Sequence, residues 1–461
     1  MFRKLIGDRA FYRQVLTIAL PIIIQNAITN FVSLLDNIMV GQLGTVQMSG
    51  VSIVNQLMFV FNVCIFGATS GAGIFTAQFH GNRDHDGVRQ TFRFKFLATV
   101  FVALASITAF LTAGTPLIRL YLQGEGTPED AAMTLQYGLS YLRVMLLGLL
   151  PFAITNAYSS TLRETGQSLI PMIASTAAVF VNLSLNYVLI FGRLGAPAMG
   201  VEGAALATAI SRYVELAIVA GWTHLHPQKN PFIPGTYRSM HISGSLMKQI
   251  VIKGTPLMLN EAMWAIGMAL VTQCYSVRGL DVVAALNINS TISHLASVVY
   301  LSLGNTVGII MGQMMGAGRP REEIKTSQLQ LTALSVGSCL VFGGALIACS
   351  GLFPMIYKTS DTVRSLATAL ICVCACFMPF NAYAHATYFT LRSGGRTGIT
   401  FLFDSGFVWI ANVPVAFCLS RFTSLHIIPL YALCLGTDVI KAVVAFFMVR
   451  SGTWIQNLAK K

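Results

Sequence analysis

Apolar runs recur along the chain, each of about 20 residues or more, enough to cross a hydrocarbon core of about 30 Å. They fall at about 14–38, 48–78, 94–117, 133–155, 168–192 and 203–223, and then at 247–275, 284–312, 328–353, 365–391, 398–420 and 426–450. The pattern predicts twelve transmembrane helices, numbered as spans 1 to 12. The widest break, from His224 to Lys248, holds Pro227, Pro231, Pro234 and Gly235, residues that interrupt helices. It reads as a cytoplasmic linker over 224–246 between an N-terminal lobe at 1–223 and a C-terminal lobe at 247–461. The first run is expected to stay as a span, being too long for a cleaved leader and carrying Asp36.

Sliding the chain by 235 positions pairs Pro21 with Pro256, Gly44 with Gly279, Ile53 with Ile288 and Gly73 with Gly308. The same offset pairs Gln78 with Gln313, Gly81 with Gly316 and Thr91 with Thr326; further on, at an offset of 229, Thr161-Leu162-Arg163 and Gly166 pair with Thr390-Leu391-Arg392 and Gly395. The paired residues occupy equivalent places in the helix count, the mark of an internal repeat. Six helices is an even number, so both copies enter from the same side. They are expected to be related by a pseudo-two-fold axis along the membrane normal, the two-lobed plan that alternating access uses.

Composition agrees with the pattern. Residues AVILMFWYC make up 54% of the 461, and charged residues only 10%, where about 25% is usual. So few charges cannot cover a soluble protein of this size, and disorder, coiled coil and secreted disulfide scaffolds are excluded by the same figures. The net charge of +13 follows from topology. With a cytoplasmic N-terminus the inner segments hold most of the loop cations, while the outer loops hold only Arg119, Arg193, Arg278, Lys358, Arg364 and Arg421. Both termini are therefore expected inside, with some attraction to anionic lipid headgroups. No basic stripe alternates with stacking aromatics, so a nucleic-acid partner is not expected. Cys372, Cys374 and Cys376 do not have metal-ligand spacing and read as helix-packing residues.

Three segments carry a family signature. Leu35-Asp36-Asn37-Ile38-Met39-Val40-Gly41-Gln42-Leu43-Gly44 closes span 1, and Leu162-Arg163-Glu164-Thr165-Gly166-Gln167 joins spans 4 and 5. Asn186-Tyr187-Val188-Leu189-Ile190-Phe191-Gly192 is followed by Gly203-Ala204-Ala205-Leu206-Ala207-Thr208. Together they resemble the multidrug and toxic compound extrusion (MATE) family of secondary transporters, over essentially the whole chain.

An ionisable group at the centre of a span costs roughly 2.5–3.5 kcal/mol on insertion scales, so each calls for a reason. Asp36 shares a sector of about 120° of span 1 with Asn26, Thr29, Asn30, Ser33 and Asn37. The plain reading is a carboxylate tying helices together; the functional one is a proton- or cation-coupled switch. Span 5 offers Asn182 and Asn186 at i, i+4, and span 6 adds Thr208. The resemblance implies that these join Asp36 in one hydrogen-bonded cluster. In many relatives an aspartate stands at the position of Asn186, so this chain keeps one carboxylate where they have two.

Glu261 on span 7 shares a face with Trp264, Ala265, Met268 and Thr272, and its repeat partner is Asn26. Many relatives also place a glutamate on this helix, in several about one turn later. Span 8 presents Asn287, Ser290, Thr291 and His294, and span 10 presents Asn381, His385 and Tyr388, where some relatives have an aspartate near Asn381. Glu261, Trp264, Asn287, His294, Asn381, His385 and Tyr388 are the candidate substrate or cation residues of the second lobe. A Na+ site is conceivable at Asp36 or Glu261, with no other metal and no cofactor beyond the coupling ion. Met58, Met263, Met268, Met311, Met314 and Met315 would give an adaptable wall, and Trp264 a cation–π face. Packing against neighbouring helices is the alternative for each.

The expectation is an all-α antiporter that exports amphipathic, cationic compounds in exchange for H+ or Na+. Its partners are small organic cations or amphipathic drugs and membrane lipids, and it is expected to be a monomer. The alternative is a flippase for lipid-linked precursors of the same broader superfamily, which would need clustered cations; Arg143, Arg212 and Lys441 form no evident cluster. An enzyme is not expected, because no nucleophile–base set, HExxH or GxxxxGK[ST] motif occurs. Glu125, Glu129 and Asp130 read as a solvated outer loop. Short termini and compact loops look prokaryotic, which points to the inner membrane.

Overall fold

The computed structural model describes residues 5–122, 127–357 and 359–460, with the side chain of Leu34 outside that set. Glu125 and the loop cation Lys358 thus fall outside the described residues. Twelve long helices follow one another: α1 (Arg9–Gly41), α2 (Thr45–Gly81), α3 (His85–Tyr121), α4 (Pro128–Glu164), α5 (Leu169–Phe191) and α6 (Val201–Leu225). The second half has α7 (Gly244–Ser276), α8 (Leu280–Gly316), α9 (Arg321–Cys349), α10 (Asp361–Ser393), α11 (Thr397–Phe422) and α12 (Ile427–Ser451), with a short helix Leu352–Met355 before α10. No strand occurs among the described residues. The protein is an all-α membrane protein.

Eleven of these helices are long and apolar enough to cross a membrane; α7 is not among them. Lys253, Asn260 and Glu261 interrupt the apolar stretch of this helix, which sequence reading counted with the rest. Most helices overrun their apolar windows, since backbone hydrogen bonding continues where the hydrocarbon ends. α3 starts well before its window, capped by Asp84, whose carboxylate accepts from Gly87 N at 2.8 Å. α4 starts on Thr127, with Pro128 in the first turn where its missing N–H costs nothing. At 37 residues, α2, α3, α4 and α8 are each about 55 Å long.

The described chain divides into two compact units. One comprises Ile24–Thr76 and Asp84–Ile250; the other comprises Met1–Ile23, Ala77–Arg83 and Val251–Lys461. This differs from a division at the linker: the start of α1 and the end of α2 belong with the C-terminal half. α1 changes unit just past Pro21, whose ring cannot donate to the carbonyl one turn back. Val54, Phe61, Leu142 and Leu149 centre the core of the first unit. Val15, Ile18 and Ile22 pack with Ile310, Met311, Ala382 and Ala386 in the second.

The segment that reads as a linker is folded. Asn230, Phe232, Ile233 and Thr236 are buried. The Arg93 guanidinium of α3 donates to the carbonyls of Thr236 (2.8 Å), His241 (3.0 Å) and Gly235 (3.1 Å), and Arg89 donates to that of Phe232 (3.2 Å). Two cations that suggest only sidedness in the sequence therefore hold residues 232–241 against α3.

The repeat is written in the backbone. Gly44 and Gly279 have φ of 130° and 119°, and Gly166 and Gly395 have 83° and 74°. After α2, Asn82 N donates to Gln78 O and Arg83 N to His80 O; after α8, Ala317 N donates to Gln313 O and Gly318 N to Met315 O. Each pair of bonds is offset by 235. Arg83, at φ 59°, sits in the left-handed region that its partner Gly318 (66°) occupies without strain. Within the second unit the two turns also meet. A Cβ on Gly81 would strike the carbonyl of Gln313, and one on Gly316 would strike that of Gln78. The Gln78 side chain donates to Ser393 O (2.9 Å) and Gln456 O (3.1 Å) and accepts from Leu458 N (2.5 Å), tying α10 to the tail that follows α12.

Candidate functional site

In each unit a buried polar cluster gathers residues singled out from the sequence. In the first, Asn182 and Asn186 stand one turn apart on α5, facing α1 and α6. Asn186 Nδ2 donates to Asp36 Oδ1 at 2.7 Å and to Asn182 Oδ1 at 3.2 Å. Asn182 Nδ2 donates to Thr208 Oγ1 at 3.2 Å, and Thr208 passes its own proton to the Ala204 carbonyl at 3.0 Å. The amides are almost wholly buried, at 5% and 1% exposure for Asn182 and Asn186, while Asp36 is half-buried. Donation runs outward from Asn186, to the Asp36 carboxylate on one side and through Asn182 and Thr208 to the Ala204 carbonyl on the other. The four residues singled out in this lobe thus lie together. Elsewhere on the polar sector of α1, Thr29 and Ser33 return their hydroxyls to Gln25 O and Thr29 O, and Asn30 and Asn37 are exposed. Nearby, Arg212 pairs with Glu215 at 3.0 Å and lies over the Phe152 ring.

The cluster of the second unit is ionic. Lys441 Nζ on α12 pairs with Asp404 Oδ1 on α11 at 2.7 Å, both side chains close to 90% buried. Asn260 Nδ2 on α7 donates to the other carboxylate oxygen at 2.9 Å and approaches Tyr388 Oη at 3.5 Å. Tyr388 donates to Glu261 Oε1 at 3.4 Å. The Lys441 ammonium also sits over the rings of Phe403 and Phe407, at 5.2 and 5.9 Å. Asp438 accepts a hydrogen bond from Asn381 and lies near Lys441, and His385, stacked on Tyr300, lies near Asp404.

Local backbone explains how α11 reaches α7. Residues 402–406 and 408–412 form π-helical turns, a wide form that is frequent at functional sites. Asn260 captures the loosened turn: its Oδ1 accepts from Ser405 N (3.1 Å) and Ser405 Oγ (2.8 Å), and its own carbonyl accepts from Ser405 Oγ (2.6 Å). Further along, Trp409 Nε1 donates to Met263 O at 2.9 Å, and Gly267 leaves room for Val408 and Trp409.

The sequence candidates of this lobe divide. Glu261, Tyr388, His385 and Asn381 reach the cluster. Asn287 and His294 do not: both are exposed, and α8 instead turns Asn289 and Ser293 inward, Asn289 donating to Tyr431 Oη at 3.0 Å. Trp264 is 39% exposed. Met58, Met311 and Met315 are core residues, so they add nothing to a cargo-facing wall. Asn260, Asp404 and Asp438 are the members that sequence reading passed over, and Lys441 stood out there only as an isolated span cation.

The fold and its two buried clusters define a multi-pass helical membrane protein built from two repeats. The MatE family model matches residues 21–188 and again 256–418, starting at the paired prolines Pro21 and Pro256. The chain belongs to this family, the MATE transporters. Among its relatives, the probable multidrug resistance protein NorM of Thermotoga maritima is 25% identical over 96% of this chain and 93% of its own length. The probable multidrug resistance protein YoeA of Bacillus subtilis is 24% identical over 90% of this chain and 89% of its own. A solved outward-facing MATE family transporter of the MOP superfamily superposes with a TM-score of 0.87 at 19% identity, covering 97% of each chain.

Proposed function

We propose that the protein is a secondary active antiporter of the inner membrane, with both termini cytoplasmic, exporting amphipathic, cationic drugs or toxic organic compounds in exchange for H+ or Na+. The observation that carries this reading is the hydrogen-bonded chain from Thr208 through Asn182 and Asn186 to Asp36, which links α6, α5 and α1. An ionised carboxylate only accepts, whereas a protonated one also donates. Loading Asp36 with a proton removes the charge that strengthens the bond from Asn186, leaving a weaker neutral one, and so loosens α1 from α5. Cation entry at Asp36 is thereby coupled to a helix movement. The names carried by the NorM and YoeA relatives support multidrug export as the task. The flippase reading is disfavoured because Arg212 and Lys441 are committed, to Glu215 and to Asp404.

The test is accumulation of a fluorescent organic cation in pump-deficient cells, with pH and Na+ gradients imposed separately. Wild-type protein should lower accumulation under one gradient, and Asp36→Asn should abolish this at equal membrane expression. Unchanged efflux by the variant would remove Asp36 from the mechanism.

A further inference from the structure

Lys441 is a buried ammonium among carboxylates that the proposed cycle leaves unused. We infer that Lys441 is an ion-specificity residue: its ammonium occupies the cation position at Asp404, so the second unit takes no alkali cation there.

The surroundings of Asp404 are those of an anion already matched. Each carboxylate oxygen meets an N–H donor, Lys441 Nζ on one and Asn260 Nδ2 on the other. The Asn260 side-chain oxygen, which could otherwise ligate a metal ion, is turned to the amide and hydroxyl of Ser405. The π-helical turns hold Ser405 in that position. An alkali cation arriving at Asp404 would meet donors where it needs acceptor oxygens, and a like charge within contact distance. The other charged and titratable groups around the pair are Glu261 on α7, His385, Tyr388 and Arg392 on α10, and Asp438 on α12. With the ammonium gone, Asp404 and the nearby Asp438 carboxylate would be left with a cation vacancy between α11 and α12. At Asp36 the corresponding hydrogen bond comes from a neutral amide, that of Asn186.

The inference deepens the antiport reading by assigning ion selectivity to one unit, and its test measures binding, so failure of transport and failure of selectivity are read separately. Radioactive 22Na+ binding is measured on purified full-length protein carrying Asp36→Asn, which removes the carboxylate of the other unit. This parent, and the same protein with Lys441→Arg, should show no Asp404-dependent saturable binding. Adding Lys441→Met should raise saturable binding by about tenfold or more, and adding Asp404→Asn to that variant should abolish the gain. A Lys441→Met protein that is monodisperse yet binds no more Na+ than its parent overturns the inference. Should Lys441→Met not fold, the comparison of the parent with its Asp404→Asn derivative decides alone: Na+ binding by the parent that Asp404→Asn removes is equally fatal, and its absence is the expected result.

Discussion

The two buried clusters solve the problem of a carboxylate inside a membrane protein in different ways. Asp36 takes a hydrogen bond from a neutral amide, that of Asn186, which also donates to Asn182, and Asn182 in turn donates to Thr208. Asp404 is neutralised outright by Lys441, with Asn260 on its second oxygen. Neutral dipoles leave the net charge of the first cluster free to change when a cation or proton arrives. An ion pair fixes the charge of the second and makes each partner depend on the other. The two clusters thus differ in electrostatics while the repeats keep their turns: the bonds closing α2 and α8 match one for one.

The largest expected effect separates the two directly. Asp36→Asn should abolish export while leaving the melting temperature in detergent near that of the wild type, because an amide can still take a hydrogen bond from Asn186. Equal export by both proteins would erase the distinction. Next comes the ion pair. Asp404→Ala leaves a buried ammonium without its partner and should cost about 3–5 kcal/mol, as should Lys441→Met, which leaves the carboxylate unpaired. The double variant Asp404→Leu with Lys441→Met should recover most of the loss in a double-mutant cycle; strictly additive melting shifts would argue that the pair contributes nothing as a unit.

A finer comparison sets the amides against each other. Asn260 contacts Asp404, Tyr388 and Ser405, so Asn260→Ala should destabilise by about 2–3 kcal/mol, the cost of leaving several buried groups unmatched. Asn186→Ala should cost about 1 kcal/mol but impair export more severely, and the reverse ranking in thermal melts and efflux would invert the roles given to the two clusters. The smallest effect is expected from Tyr388→Phe. Its bonds to Glu261 and Asn260 are long, at 3.4 and 3.5 Å, and their loss should lower stability by less than about 1 kcal/mol.

Much of the first cluster was legible in the chain. Asn182 and Asn186 are one turn apart, and the segment that begins at Asn186, with that of Asp36, carries the family signature. The second cluster was legible only in part. Glu261, His385 and Tyr388 stood out by periodicity, but Asp404, Asp438 and Lys441 are single charges on helices whose contacts periodicity does not give. On α8 the period grouped Asn287 with His294 correctly on one face, yet the face turned inward carries Asn289 and Ser293. A 3.6-residue period says which side chains share a side, not which side is buried.

The apolar windows and the 235-residue offset by themselves determined the helical class, the helix count, the repeat and the positions of its turns, because these depend on local hydrogen bonding and on transfer of each segment from water. Tertiary packing alone decided that Lys441 meets Asp404, that α11 widens into π turns caught by Asn260, and that the ends of α2 and α8 touch backbone to backbone. Those outcomes require helices distant in sequence to approach, and the free energy of a buried charge is set by whatever arrives beside it.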